Sequence, residues 1–224
     1  MRDDFGRFAL GRGISGMTLD DYGKKNGRYL NYIEPFVIEE RQMNVTNLSI
    51  YSRLMMDRIV FIGSDINDEV ANIVTAQLLW LEQQSQSEIQ IMISSPGGSV
   101  MGGYSIIDCM DFITPEISTT VVGCAASMAA VIASNGTRGK RHILPHARFM
   151  IHQPRMGMSG SYVASDLTIE AEEVNKLKKE LYETLSKNSN HTFEEIERMS
   201  DRDRWFTATE AVEHGFIDDI IYKK

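Results

Sequence analysis

Cysteine is scarce in this sequence: Cys109 and Cys124 are the only two in 224 residues, and neither has metal-ligand spacing around it. That usage gives no disulfide framework and suits a reducing compartment. Basic charge is also in deficit. The 23 Lys and Arg stand against 31 Asp and Glu, for a net charge of −8. A nucleic-acid partner is not expected, because phosphate binding wants a basic face. No run approaches the roughly 18–20 apolar residues that a membrane-spanning helix needs. The opening MRDDFGRFAL mixes charges with single apolar residues and lacks the apolar centre of a secretory signal. These absences together point to a cytoplasmic protein without a membrane anchor. Metal is not expected either: His142 and His146 lie four apart, but Pro145 argues against a helix between them and no third ligand is evident.

What is present is ordinary globular composition, 42% apolar and 24% charged, enough for one domain with a real core. Residues 1–30 differ. They carry six glycines (6, 11, 13, 16, 23 and 27), scattered charges and no sustained period, and are expected to be a flexible leader or a segment removed on maturation. From Ile59 onward strand and helix signals alternate. Ile59–Ile62 reads as a short strand. Asn67 or Asp68 then caps a helix with apolar residues at 70, 73, 74, 78 and 81. Ile89, Ile91 and Ile93 alternate as in a strand that Ser95-Pro96-Gly97-Gly98 stops. A helix at Val100–Phe112 and a strand at Ile117–Val122 follow, then a helix from about Ser127 to Asn135 with Gly136 as its C-cap.

Short strands are expected around 141–144 and 148–151, and a long helix over about 162–189 with apolar residues at 167, 174, 177, 181 and 185. Thr192-Phe-Glu-Glu195 and Thr207-Ala-Thr-Glu210 are capping boxes that open two short helices. Gly215 ends the second, and Phe216–Tyr222 reads as a closing strand. Alternating βα units imply an α/β domain with much parallel pairing.

Four features carry chemistry. A serine is a poor nucleophile until a nearby base takes its proton, and the base needs a third group to fix its tautomer. Ser127 lies between a strand and a helix, with Gly123, Ala125 and Ala126 leaving little bulk around its hydroxyl. A serine at a helix start also serves as a plain cap, and this run is not the Gly-x-Ser-x-Gly elbow. Gly97-Gly98 either makes a tight turn or lets a backbone N–H face a substrate carbonyl. His152 ends an apolar strand just before Gln153-Pro154, where a structural histidine is the plain alternative. Asp201-Arg202-Asp203-Arg204 lies between capped helices, where a solvated charged turn is the alternative.

Taken together these runs resemble the ClpP family, the proteolytic subunits of the Clp protease, over about Tyr29 to the C-terminus. The matching runs are Ile50-Tyr-Ser-Arg-Leu54, Asp57-Arg-Ile59, Ser95-Pro-Gly-Gly-Ser99, Gly123-Cys-Ala-Ala-Ser-Met128, Arg141 with Met150-Ile-His-Gln-Pro154, and Asp201-Arg-Asp203. The resemblance implies a ClpP/crotonase-like fold of repeated β-α-β units in a superhelix, with a protruding α/β handle. It implies Ser127 as nucleophile, His152 as general base and Asp203 as the triad acid. Asp201 is the intuitive rival, but alignment from Phe193 through Ala208 puts the acid at 203. The backbone N–H groups of Gly98 and Met128 would form the oxyanion hole, and Asp201 with Arg202 would contact the opposite ring.

The implied assembly is two stacked seven-membered rings of this chain, fed with unfolded protein by an ATP-dependent AAA+ unfoldase of the Clp type. This chain has no Gly-x-x-x-x-Gly-Lys run, so any ATP use is expected to belong to that partner, and no cofactor is expected on this chain. Residues 31–224 would be one peptidase domain: axial loops about 35–50, head about 51–150, handle about 151–190, and C-terminal helices and strand over 191–224. Three departures stand out. Arg155-Met-Gly-Met-Ser-Gly160 replaces the Gly-Gly that commonly follows His-Gln-Pro and is about two residues longer. Gln90 and Met92 occupy positions where many members carry tyrosines of the unfoldase-docking pocket. The leader is longer than in many members, with removal expected near Asn31–Pro35. The other readings are a silent ring subunit that assembles with an active paralogue and a crotonase-type acyl-CoA enzyme.

Overall fold

The computed structural model describes residues 36–41, 44–157 and 163–222; the expected leader and its cleavage point lie outside them. The chain divides into two units, residues 1–53 and 54–224. In the first, β1 (Phe36–Arg41) and β2 (Asn44–Ser49) pair antiparallel, from Phe36 opposite Ser49 to Arg41 opposite Asn44. Both strands fall in the segment near 35–50 that was expected as axial loops. Helix α1 (Ile50–Met56) follows β2 directly in the chain.

The second unit is organised by a mostly parallel sheet. Strands β3 (Ile59–Ile62), β4 (Ile89–Ser95), β5 (Ile117–Ala126), β6 (Arg141–Ile143) and β9 (Asp219–Ile220) lie side by side, all parallel. Strand β7 (Arg148–Ile151) runs parallel to β5, and β8 (Arg204–Phe206) pairs antiparallel with β7. The helices between them are α2 (Asp68–Gln84), α3 (Val100–Phe112), α4 (Met128–Ser134), α5 (Ala164–Lys187), α6 (Phe193–Met199) and α7 (Ala208–Glu213). The α/β architecture with parallel pairing expected from the alternating signals is the one observed.

Local sequence explains most of these elements. In β4 the isoleucines at 89, 91 and 93 are fully buried while Gln90 and Met92 on the other face are half-buried, as the two-residue strand period requires. Asn67 is the cap of α2, its side chain accepting the Val70 N–H at 2.9 Å. Ala71, Val74, Leu78 and Leu81 form the buried stripe of that helix, each large residue contributing about 1.5–3 kcal/mol. Ile73, expected on this face, is half exposed: one residue from Val74 is a rotation of about 100°, which carries it off the stripe. Both capping boxes are formed, Thr192 with Glu195 and Thr207 with Glu210.

Two boundaries differ from expectation. Asn135, not Gly136, is the C-cap of α4. A Cβ at Gly136 would lie 2.6 Å from Thr119 Oγ1, so this glycine answers a packing need. The closing strand is only Asp219–Ile220, because β6 offers it a short edge: His142 and Ile143 alone pair with it.

The feature that positions the site is a fork along β5. Its first half, Thr119–Val121, pairs with β6, and its last residues, Cys124–Ala126, pair with β7. The register between β4 and β5 shifts between Ile93 and Ser95, a bulge of the kind that re-aims a strand end. Phe149 of β7, Phe206 of β8 and Phe216 pack together, with Phe149 stacked on Phe216 at 5.2 Å. This apolar cluster fixes β7 and β8 against each other.

Candidate active site

Strand register brings together residues far apart in sequence. Ala126 lies opposite Met150, and Ile151 opposite Arg204. Ser127 therefore leaves the end of β5, His152 leaves the end of β7, and Asp203 enters β8, all at one edge of the sheet. His152 Nε2 lies 2.7 Å from Ser127 Oγ, and His152 Nδ1 lies 3.1 Å from Asp203 Oδ1. A carboxylate accepts only, so Nδ1 carries a proton and Nε2 is left to accept the serine O–H.

Ser127 adopts φ 56° and ψ −126°, a conformation that L-residues rarely take, and its side chain makes no capping bond. The plain helix-cap alternative is thereby excluded. The backbone N–H of Ser127 donates to Met150 O at 2.9 Å, anchoring the turn to β7. Holding such a residue costs about 1–3 kcal/mol and points to a functional constraint.

The glycine pair lies directly beside it. A Cβ on Gly97 (φ 94°) would meet Ala126 O at 2.5 Å and Ser127 Cβ at 2.8 Å; one on Gly98 (φ 149°) would meet Ile66 O at 2.2 Å. The loop is pinned by Ile66, whose N–H donates to Gly97 O at 2.8 Å and whose carbonyl accepts from Ser99 N–H at 2.7 Å. Ser95 Oγ accepts the Gly97 N–H and donates to Ser64 O. Among the described residues, no protein acceptor takes the N–H of Gly98 or of Met128. Two free donors thus flank Ser127, the arrangement that stabilises a developing oxyanion.

Asp203 also receives the Arg155 guanidinium on Oδ1. That hydrogen bond, ahead of the charge of Arg155 and the contact with His152, holds the Asp203 carboxyl below the usual carboxylate range against a small opposing loss of solvation. Asp201 and Arg202 do not reach His152. Arg202 turns back onto the Asp201 carbonyl at 2.8 Å, Gln153 Nε2 donates to that carbonyl at 2.7 Å, and both charged side chains are largely exposed.

The site opens into a cleft of about 290 Å³ that includes Gly98, Ser127, Met128 and His152. Val100, Val131, Leu181 and Leu185 give it an apolar wall. Leu181 and Leu185 come from α5, where with Tyr182 they form its buried stripe; Leu167 and Ile169 near its start are exposed. Sequence reasoning placed these leucines on a helix but gave no sign that they wall the site, and it missed the Arg155 contact altogether. Both are long-range, and no local period carries them.

The remaining reactive groups are placed elsewhere. Cys124 is half-buried, and burial raises its thiol pKa, so it stays protonated near neutrality. His142 pairs with Asp219 across β6 and β9. No described helix is long and apolar enough to cross a membrane.

A sheet with β-α-β crossovers, a hydrogen-bonded Ser-His-Asp set and a glycine-lined pair of free N–H groups defines a serine-hydrolase type of site. Compared with known families, residues 41–224 match the Clp protease family, and the chain belongs to that family. It is 49% identical over 224 residues to the ATP-dependent Clp protease proteolytic subunit of Bacteroides thetaiotaomicron, covering 99% of this chain and 100% of that one. Against the subunit of the same description from Porphyromonas gingivalis, identity is 49% over 212 residues, 94% of this chain and 93% of that one.

Proposed function

We propose that this chain is a Clp-type serine endopeptidase in which Ser127 is the nucleophile, His152 the general base and Asp203 the orienting carboxylate. The observation that carries this reading is the unbroken hydrogen-bonded chain Asp203–His152–Ser127 beside two free backbone N–H groups. Ser127 Oγ attacks the scissile carbonyl while His152 Nε2 accepts its proton. The oxyanion is held by the N–H groups of Gly98 and Met128, each such donor lowering the barrier by on the order of 3 kcal/mol. His152 then protonates the leaving amine, and water releases the acyl group by the same steps in reverse order. The cleft walled by Val100, Val131, Leu181 and Leu185 suits an apolar side chain next to the scissile bond.

The relatives are described as ATP-dependent, which supports an ATP-driven unfoldase as partner, with no cofactor bound to this chain. Two stacked seven-membered rings in the cytoplasm remain the assembly and location we infer from the family. The exposed first half of α5 supports a role as a ring–ring handle, and the exposed Asp201 and Arg202 suit a contact there. Neither alternative gains support: a crotonase-type enzyme needs no Ser-His-Asp set, and a silent ring subunit needs no aligned one. The test is ATP-independent cleavage of a short fluorogenic peptide by the wild type and Ser127→Ala, with assembly followed by gel filtration. Cleavage is expected in the wild type and absent in the variant; equal cleavage by both would refute the reading.

A further inference from the structure

The carboxylate of Asp203 is open for a group asked to orient a base. Its side chain is 42% exposed, against 12% for His152. Its bond to Nδ1, at 3.1 Å, is long for a charge-assisted hydrogen bond, which is ordinarily about 2.7–2.9 Å. Among the described residues only His152 and Arg155 donate to it. Water surrounding an exposed carboxylate solvates every rotamer alike and fixes none.

We propose that Arg155 is a positioning residue for the catalytic set, its guanidinium fixing the Asp203 carboxylate so that Oδ1 stays in line with His152 Nδ1. The inference rests on reading Ser127, His152 and Asp203 as the triad. Arg155 follows directly on His152-Gln153-Pro154, so the residue that orients the carboxylate travels with the base. The strand end is held in turn by Gln153, whose N–H donates to Ser200 O at 2.6 Å and whose side chain donates to Asp201 O. Pro154 fixes its own φ and restricts Gln153. The guanidinium is planar and delocalised, which suits a carboxylate better than the point charge of lysine.

Two effects of this cation oppose each other. Its charge beside the imidazole disfavours the imidazolium that forms during reaction, while its grip on Asp203 favours alignment. Orientation wins: Arg155 is 68% exposed, so water already screens its charge, whereas His152 itself is the one other described donor to the carboxylate.

The experiment compares the wild type, Ser127→Ala, Arg155→Met, Arg155→Lys, Asp203→Asn and Arg155→Met/Asp203→Asn as full-length, assembled proteins. It reads kcat and KM on a fluorogenic peptide and the rate of Ser127 labelling by a fluorophosphonate. Arg155→Met is expected to lower both kcat and the labelling rate about three- to tenfold, with KM held within about twofold. Arg155→Lys should recover part of the loss. In the Asp203→Asn background, Arg155→Met should cost nothing further, because the group it positions is gone. Arg155→Gln replaces Arg155→Met if the latter changes the gel-filtration profile. Wild-type rates in Arg155→Met, an equal loss in the Asp203→Asn background, or a raised KM at constant kcat would each overturn the proposal. An active Ser127→Ala would instead overturn the triad reading itself.

Discussion

Ser127 holds a backbone conformation that glycine would take without strain, and it does so at the end of a strand whose neighbours are small. The conformation throws the hydroxyl toward His152 and leaves the Met128 N–H free, so backbone strain is converted into geometry at the site. A specific consequence concerns stability. Ser127→Gly should be more stable than Ser127→Ala by about 1 kcal/mol, because relief of strain outweighs the added unfolded-state entropy of glycine. Thermal melts of the two inactive variants check this; a less stable glycine variant would mean the turn is unstrained. Residue identity alone did not resolve Ser127. A helix-capping serine and a nucleophile look alike in a run such as Ala125-Ala-Ser-Met128, and the difference lies in φ, ψ and in strands that pair far along the chain.

At the scale of elements, the signals local to a segment were readable: the Asn67 cap, the alternation in β4 and the two capping boxes. The fork in β5 was not, because whether a strand changes partners midway depends on β6 and β7, not on its own residues. The same holds for α5, whose leucines line the cleft only because the chain folds that helix back over α4. Leu185→Ala should lower kcat/KM roughly tenfold or more for peptides with leucine before the scissile bond. Labelling by a small fluorophosphonate should stay near the wild-type rate; an unchanged peptide preference would remove Leu185 from the substrate wall.

A second prediction at this scale concerns the end of α7. His214 Nδ1 lies 2.7 Å from His191 Nε2, against Phe206 and Phe216. Burial first, then the neighbouring His191 and Arg204, lower the His214 pKa. The unfolded chain therefore binds this proton more readily than the folded one. The stabilising contribution is complete above the ordinary histidine value of about 6.5 and is lost as pH falls through the lower folded value. The midpoint of thermal unfolding should drop between pH 7.5 and 5.5 in the wild type, and less in His214→Gln. Equal drops in both would show that His214 does not govern the acid response.

For the whole molecule, the acidic charge and the alternating βα pattern of the sequence constrain class and architecture by themselves. The site needed the assembled sheet, because β4, β5, β7 and β8 each deliver one part of it to the same edge. That dependence makes the account testable at a single atom. The most direct measurement is covalent labelling of the assembled protein with a fluorophosphonate, mapped by peptide mass spectrometry in the wild type and in His152→Ala. The account predicts one adduct, on Ser127, formed at least about a hundredfold more slowly in the variant. An adduct on another residue, or an undiminished rate without His152, would contradict it.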